Sequence, residues 1–376
     1  MSATYLAHLT PPGAAAIATL ALRGPAAWSM VGQLAQRSLP PEPEVGRFRL
    51  TRLGDAAQGA VDEVILAVKQ SEPEPWLELH CHGGPEVLKL LEDLLDSRGA
   101  EVCSWQHMEQ QATSPLQAVA LATLAAALTV RTAAIALDQV HGAFAQAVAR
   151  VLRHLRQGER EAAGPLLADL DRWGALGRHL TSPWRVVLAG PVNVGKSSLA
   201  NALAGYQRSL VAATPGTTRD VVTTLLAVDG WPIEIADTAG WRATELAVEQ
   251  EGMARARQAL AATDLGLWVL DASQAPEWPA ANLGPVRFVV NKVDLPPQWS
   301  IEDSAALRVS AKTGAGIGKL CQQLAAWLVP DVPPPGAAVP FTPELADTVS
   351  QTRQLLASGE SEAARENLEQ LNRECG

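Results

Sequence analysis

The 376-residue sequence predicts an α/β domain with a mostly parallel sheet, inserted in an α-helical domain and preceded by a small α+β domain. Between residues 183 and 330, short apolar runs alternate with helical segments, which is typical of a parallel βα sheet. Residues 111–182 are rich in alanine and leucine, which favour helices. Residues 1–110 mix short β-like runs with one helical stretch, as α+β domains do.

The composition is that of a globular protein, with 47% hydrophobic and 19% charged residues. Lys and Arg number 30 against 40 Asp and Glu, so the net charge is −10 and any contact with RNA must be local. The alanine-rich stretch 116–137 contains Arg131 and too few bulky apolar residues to predict a membrane span, and the N-terminus does not resemble a secretory signal. We expect a cytoplasmic protein with no membrane partner.

Three β-like runs and one helical stretch make up the predicted first domain. They are residues 17–22, 64–68, 76–80 and, for the helix, 85–95. In the next domain, breakers such as Gly158 and Gly164 cut residues 111–182 into separate helices. Four arginines recur there near helical spacing and could contact RNA, although a solvated helix face is the preferred interpretation. They are Arg150, Arg153, Arg156 and Arg160.

A proline-rich segment, residues 331–342, predicts an extended linker after the α/β domain. One polar helix, residues 343–373, is expected to follow it. Because a polar helix cannot bury a face alone, we expect it to pack on the helices of residues 111–182. Residues 343–376 would then complete a discontinuous helical domain, into which the α/β domain of residues 183–330 is inserted.

Residues 190–197, GPVNVGKS, match the pattern GxxxxGK[ST] and lie between the apolar run WRVVLA and a helical segment. In this pattern, backbone N–H groups and a helix N-terminus surround phosphate oxygens. We expect Lys196 to reach the β- and γ-phosphates and the Ser197 hydroxyl to bind Mg²⁺. The motif therefore predicts a nucleotide phosphate site. Its other residues are Asn193, Val194, Gly195 and Ser198.

Two further segments are expected at the γ-phosphate. Residues 237–240, DTAG, follow an apolar run, so Asp237 should end a strand and lie in the outer coordination sphere of Mg²⁺, with Gly240 near the γ-phosphate. In residues 214–220, TPGTTRD, Thr218 is our candidate to complete the magnesium shell. Thr217, Thr238 and Ala239 are predicted to bind the nucleotide beside them.

The base-binding residues are predicted in two short motifs, NKVD (291–294) and SAK (310–312), each after a strand-like run. The Asp294 carboxylate can accept two hydrogen bonds from guanine N1–H and its 2-amino group, an arrangement that adenine cannot offer. Asn291 is expected to brace neighbouring loops and the Lys292 stem to cover the base. The SAK residues, Ser310, Ala311 and Lys312, would supply a backbone N–H for guanine O6. Four motifs, GPVNVGKS, DTAG, NKVD and SAK, follow one another along the chain in this order, each at the end of a strand-like run. Together they predict a guanine-specific P-loop GTPase domain.

The sequence suggests an unusual device for hydrolysis. Trp241 follows DTAG, and it cannot orient water as the Gln of Ras-type enzymes does. Asn193 offers a neutral oxygen that could hold a monovalent cation in place of an arginine finger. Glu249, twelve residues after Asp237, is a candidate to polarise the attacking water, although a solvated helix residue is the other interpretation. The candidate catalytic residues are Lys196, Gly240 and Glu249.

These motifs, GPVNVGKSSLANALAG, TPGTTRDV and DTAGWR, resemble the MnmE/TrmE family of tRNA-modification GTPases, in the Era-like group of the TRAFAC class. The runs TPPGAAAIATLALRGPAAW and LELHCHGGPEVL resemble N-terminal segments of that family. The resemblance implies a magnesium-dependent and potassium-activated GTPase of wobble-uridine tRNA modification, a homodimer with tRNA and an FAD-dependent protein as partners. It also implies Glu249 as the catalytic glutamate, and a potassium site formed by Asn193 and loop oxygens of Ala212, Thr214 and Thr217.

The sequence departs from the family in three regions, one of which is the helical part before the α/β domain, which is shorter and lacks an acidic segment. It stops at NRECG without the family's C-terminal motif of the type C-[IVL]-G-K, and Cys375 is not the equivalent cysteine. The family's N-terminal domain binds folate through an arginine, whose position here corresponds to Ala21, with Arg23 displaced by two. Residues 103–117 replace another folate-contacting segment, so Glu78 is the only expected contact that remains. We therefore expect weak or no folate binding.

Two other functions stay open at this point. The chain could be a regulatory or assembly GTPase that has lost tRNA-modification chemistry, which the departure at NRECG would favour. It could also be a nucleotide-sensing interaction scaffold with negligible turnover.

Overall fold

In a computed structural model, the chain forms two compact units, residues 1–118 and 119–375. The structure describes residues 3–55, 59–206, 223–237, 263–279, 286–300 and 306–374. Within these ranges, no helix has both the length and the apolar character needed to cross a membrane.

The first unit contains a six-stranded sheet in the order β3-β4-β5-β2-β1-β6. The strands are β1 Thr4–His8, β2 Ile17–Arg23, β3 Phe48–Asp55, β4 Gly59–Gln70, β5 Trp76–His82 and β6 Ala100–Cys103. All neighbouring strands are antiparallel except β1 and β6. Three strands coincide with the predicted β-like runs but extend beyond them.

Helices cover both faces of this sheet. They are α1 Ala27–Leu34, α2 Pro85–Asp96 and α3 Trp105–Ala112. Residues of α1 and α2 form the main core against one face. Met108 of α3 packs on Ala7 and Ala21 at the opposite face. The expected domain boundary after residue 110 falls inside α3, and because α3 packs on β1, the unit continues to residue 118.

The second unit begins with a group of helices. They are α4 Pro115–Ala126, which spans the unit boundary, α5 Val130–Val140, α6 Ala143–Arg156, α7 Arg160–Arg172 and α8 Gly174–Gly177. Its C-terminal part adds α11 Pro343–Ser358, packed on α7 and α8, and α12 Ser361–Glu374, packed on α6 and α11. The expectation of one helix over 343–373 is wrong, because Gly359 adopts a left-handed conformation (φ 95°) and ends α11.

Two of the four arginines that could have contacted RNA are engaged in this packing. Arg156 donates two hydrogen bonds to Glu369 on α12, at 3.0 and 2.9 Å. Arg160 donates to the Ala357 carbonyl on α11 at 3.0 Å. Arg150 and Arg153 are exposed on α6, as the solvated-face interpretation expects.

Residues 331–342 do not form the extended linker that the prolines predicted. Val339 and Phe341 are buried, and the Phe341 ring meets Phe144 of α6 edge-to-face at 5.6 Å. The buried Gln139 amide of α5 donates to the Ala337 carbonyl and accepts from the Val339 N–H. The second half of the segment, residues 337–341, therefore packs against the helical region, whereas most of residues 331–336 are exposed.

The second sheet has the order β12-β11-β10-β7-β9-β8. Its strands are β7 Trp184–Ala189, β8 Thr223–Val228, β9 Trp231–Asp237, β10 Leu265–Asp271, β11 Val286–Asn291 and β12 Leu307–Arg308, with helices α9 Lys196–Tyr206 and α10 Ile317–Leu328. Every neighbouring pair is parallel except β8 and β9. The prediction of a mostly parallel sheet is confirmed.

The β8–β9 turn contacts the start of α5. Thr129 caps α5 by accepting from the Thr132 N–H, and its hydroxyl also donates to the Gly230 carbonyl at 2.6 Å. Beside it, Arg131 lies 2.9 Å from the Asp229 carboxylate and stacks over the Trp231 ring at 5.1 Å. These contacts join the helical region to the α/β region.

Candidate functional site

The predicted motifs meet at the carboxyl edge of the second sheet. β7 leads into the loop of residues 190–195, while β9 ends at Asp237 and β11 at Asn291. In the strand register, Leu188 pairs with Asp237 and Asp271 pairs with Asn291. Because neighbouring parallel strands end at one edge, their loops can act on a single ligand there.

The loop of residues 190–195, called the phosphate loop from here on, is packed tightly between strand ends. Gly190 has φ 138°, and a Cβ there would lie 2.5 Å from the Val269 carbonyl oxygen. Gly195 has φ 94°, and a Cβ there would lie 2.4 Å from Asn291 Nδ2. Both glycines are therefore required by sterics, and Asn193 adds a third left-handed position at φ 65°.

Cationic and hydroxyl groups cluster where the phosphate loop enters α9. The Lys196 ammonium donates to the carbonyls of Gly190 and Pro191 at 3.0 and 2.7 Å, so it lies over the loop. Ser197 and Ser198 are exposed in the first turn of α9. A helix N-terminus, a lysine and hydroxyl groups together are suited to bind an anion.

Asn291 holds two loops together. Its amide nitrogen donates to the Val194 carbonyl in the phosphate loop at 2.9 Å, and its amide oxygen accepts from the Ala311 N–H at 3.0 Å. The residue is 2% exposed. Both halves of the amide are therefore satisfied, and the geometry agrees with the bracing role expected for Asn291.

The Asp294 carboxylate is exposed but held in place. The buried Ser310 hydroxyl donates to Asp294 Oδ1 at 2.6 Å and itself accepts from the Thr313 N–H at 3.1 Å. The bond from Ser310 lowers the pKa of Asp294, so the carboxylate stays ionised at neutral pH. The Ala311 N–H is already bonded to Asn291, whereas the side chain of Asp294 is exposed at this corner.

One residue of the site was missed by the reading of the sequence. Asp271, at the end of β10, lies 2.6 Å from the ammonium of Lys292, which also donates to the Asn193 carbonyl at 2.7 Å. Burial would raise the pKa of Asp271, but hydrogen bonds from Lys292 and Ser273 outweigh it and lower the pKa. The available signal was the position of Asp271 after the apolar run LGLWVL, equivalent to that of Asn291 after its own run.

Several predicted site residues lie outside the described part of the chain. They are Ala212, Thr214, Thr217, Thr218, Thr238, Ala239, Gly240, Trp241 and Glu249. For Asp237, the structure describes the backbone at the end of β9 but not the side chain. Among the described residues, no group of three or more His, Cys, Asp and Glu side chains could hold a metal ion.

Glu78 lies in the first unit, on β5. Its neighbours in register are Ala21 on β2 and Ala67 on β4. The carboxylate lies 3.6 Å from the Lys69 ammonium and 3.5 Å from His80 Nε2. The position directly across from Glu78 on β2 is thus a buried methyl group rather than a guanidinium.

Arg23, two residues further along β2, has partners of its own. Its guanidinium lies 5.0 Å from the centre of the Trp76 ring and 3.7 Å from the Glu109 carboxylate. Burial raises the pKa of Glu109, and the charge of Arg23 opposes that rise. Arg23 is therefore engaged in an ion pair within the unit.

Comparison with known proteins finds two matching families. The family described as 50S ribosome-binding GTPase matches residues 185–292, and the family described as GTP-binding protein TrmE N-terminus matches residues 4–105. Among solved structures, the G domain of the T. maritima FeoB iron transporter is 24% identical and covers 39% of this chain and 99% of that one. Its TM-score of 0.29 is too low to support a conclusion.

Curated relatives match most of the chain. The tRNA modification GTPase MnmE of Alkalilimnicola ehrlichii is 36% identical, over 85% of this chain and 81% of the relative. The proteins of the same name from Thermus thermophilus and Nitrosococcus oceani are 33% and 30% identical, over 83% and 86% of this chain and 79% and 80% of theirs. On this identity and coverage, together with both family matches, the chain belongs to the MnmE family of tRNA modification GTPases.

Proposed function

We propose that this chain hydrolyses GTP to GDP and phosphate in the course of tRNA modification. The observation that carries the proposal is the double hydrogen bond of Asn291, which ties the phosphate loop to the SAK loop. A site that reads the base is thereby held at a fixed distance from a site that holds phosphates. The names of the relatives, tRNA modification GTPases, support the assignment of the process.

Guanine specificity is assigned to Asp294. Its carboxylate is ionised, exposed and oriented by Ser310, so it can accept from guanine N1–H and the 2-amino group. Adenine presents no such pair of donors. The aliphatic stem of Lys292 would cover the base, and the loop of Ser310, Ala311 and Lys312 would donate a backbone N–H to O6.

The residues at the sheet edge fit a magnesium ion. The Ser197 hydroxyl lies exposed in the first turn of α9, and β9, in register with β7, ends at Asp237. Hydroxyl and carboxylate oxygens are the hard donors that Mg²⁺ prefers. When bound, the ion would neutralise charge on the β- and γ-phosphates. We assign Ser197 and Thr218 as its ligands, Asp237 to its outer sphere and Lys196 to the phosphate oxygens.

Hydrolysis needs a group that orients water and a charge that stabilises the leaving phosphate. We assign the water to Glu249, with Gly240 at the γ-phosphate. For the charge, the exposed Asn193 side chain and loop oxygens of Ala212, Thr214 and Thr217 would hold potassium. The assignment is supported by the left-handed backbone of Asn193 (φ 65°) and by the exposure of its side chain in the phosphate loop.

The remaining assignments concern the assembly. We propose a homodimer whose G domains close over the nucleotide, acting with tRNA and an FAD-dependent partner in the cytoplasm. We also propose that residues 111–182 with 343–376 act as one helical domain and residues 183–330 as an inserted G domain.

Folate binding is assigned as weak, since Ala21 faces Glu78 and Arg23 is paired with Glu109.

The test combines turnover with a cellular readout. Phosphate release from GTP is measured in potassium and in sodium, with ATP as the control nucleotide, and we expect potassium-stimulated hydrolysis of GTP alone. The nucleosides of tRNA from a strain that lacks the gene should contain no modified wobble uridine. Expression of this chain from a plasmid should restore the modification. Tight GTP binding without turnover would favour a nucleotide-sensing scaffold, and turnover with unaltered tRNA would favour a regulatory GTPase.

A further inference from the structure

A chain of polar contacts runs from the end of β10 to the phosphate loop. Asp271 Oδ2 accepts from the Lys292 ammonium at 2.6 Å, and the same ammonium donates to the Asn193 carbonyl at 2.7 Å. Neither the motifs nor the family names assign a role to Asp271. We propose that Asp271 is a positioning residue for the guanine nucleotide, which it serves by orienting Lys292. This inference rests on the proposed nucleotide function.

The Asp271 carboxylate is built to present one oxygen to Lys292. Its side chain is only 4% exposed, and a buried charge is tolerated only when it is well paired. Oδ1 accepts from both the N–H and the hydroxyl of Ser273, at 2.8 and 2.7 Å. The indole N–H of Trp299 also holds the Asp271 carbonyl, at 2.8 Å. Because Ser273 occupies Oδ1, Oδ2 stays directed at Lys292.

Lys292 needs such an anchor. A lysine side chain is long and flexible, and an unpaired ammonium is strongly hydrated, so it would leave its contact with the loop. The backbone of Lys292 is in the left-handed region, at φ 62°, so the chain turns immediately after β11 ends at Asn291. With Asp271 in place, the ammonium stays on the Asn193 carbonyl while the stem is available to cover the base.

The result is a second brace of the phosphate loop beside that of Asn291. Asn291 holds the carbonyl of Val194, and Lys292 holds the carbonyl of the preceding residue, Asn193. Asn193 is also the residue to which we assign the monovalent cation. The position of its backbone therefore depends on Asp271, which is 78 positions away in the sequence.

The test compares two substitutions of one type, at the end of β10 and just before its start. Asp271→Asn keeps the shape and removes the charge at the carboxyl end of β10. Asp264→Asn does the same just before β10, where the carboxylate accepts from the Arg185 N–H at 2.7 Å and lies far from the phosphate loop. Binding of N-methylanthraniloyl GDP is followed by fluorescence, and melting curves establish that each variant is folded.

We expect Asp271→Asn to weaken GDP binding about tenfold, since Lys292 loses its negatively charged partner, and Asp264→Asn to bind as the parent does. In a Lys292→Met background, Asp271→Asn should change the affinity by no more than about twofold, because its effect passes through Lys292. Ser273→Ala, which removes the hydroxyl bond to Oδ1 but keeps the backbone N–H bond and the charge, should weaken binding by about threefold and serves if Asp271→Asn does not fold.

A folded Asp271→Asn with parental affinity, or an effect of the same size with and without Lys292, overturns the proposal. Parental affinity of Ser273→Ala overturns it where Asp271→Asn does not fold. Failure of the parent chain to bind GDP would instead overturn the proposed function. Loss of affinity in Asp271→Asn that disappears in the Lys292→Met background supports the positioning role.

Discussion

Replacing Asn291 with alanine should separate the two loops that its amide joins. The change removes the bond to the Val194 carbonyl at 2.9 Å and the bond from the Ala311 N–H at 3.0 Å. Each bond contributes about 1 kcal/mol net, and a partner left buried without water costs about 1–3 kcal/mol. Val194 is 5% exposed, so its carbonyl would be left buried without a partner, whereas the partly buried Ala311 N–H can reach water. We therefore expect a total loss of about 2–4 kcal/mol.

That loss divides between folding and binding, so both are measured. Thermal melting without nucleotide reports the loss in the free energy of unfolding. Titration with fluorescent GDP reports the loss in the free energy of binding, where about 1.4 kcal/mol corresponds to a tenfold change in affinity. Asn201→Ala is the matched control, since Asn201 is exposed on α9. If Asn291→Ala melts with the parent and binds GDP as tightly, the amide does not brace the loops and the reasoning is refuted.

Four other outcomes are expected. Asp294→Asn should weaken GTP binding by about 1–3 kcal/mol, and equal affinity of the parent for ATP and GTP would contradict the role of the carboxylate. Glu249→Ala should bind GTP but not hydrolyse it, and Asn193→Ala should lose the stimulation of hydrolysis by potassium. Hydrolysis by the parent that is equally fast in sodium would contradict the mechanism based on potassium and Glu249. Thr129→Ala should lower stability by about 1–2 kcal/mol, seen as a lower melting temperature, because a helix cap and the bond to the Gly230 carbonyl are lost together. Calorimetry with 5-formyltetrahydrofolate should show weak or undetectable binding, and micromolar affinity would contradict the expectation built on Ala21.

Parts of the site could be predicted because their chemistry is local. The glycines of residues 190–197 are needed for close backbone approach, and their spacing to Lys196 is set within one loop. The bracing role of Asn291 could be expected from its residue type and its position after an apolar run. Asp271 has the same position, but its partner Lys292 is 21 residues away, and nothing local links the two.

The two corrections in the C-terminal region have different causes. The break between α11 and α12 had a local signal, since glycine commonly ends a helix and serine commonly begins one, as Gly359 and Ser361 do here. The continuous polar pattern of residues 343–373 made this signal easy to miss. The packing of residues 331–342 had no local signal, because proline-rich chain reads alike in an exposed linker and in a buried segment. Contacts with Gln139 and Phe144, about 200 residues earlier, distinguish the two cases.

The amino-acid sequence by itself determined the α/β class, the order of the sequence motifs and the residue types at the candidate site. These follow from backbone sterics and hydrogen-bonding chemistry within a few consecutive residues. The tertiary structure alone decided which carbonyls Asn291 and Lys292 hold, that Asp271 pairs with Lys292, and that Ala21 faces Glu78. The physical reason is that hydrogen bonds and ion pairs act over about 3 Å, so they depend on which distant segments the sheet register and core packing bring into contact.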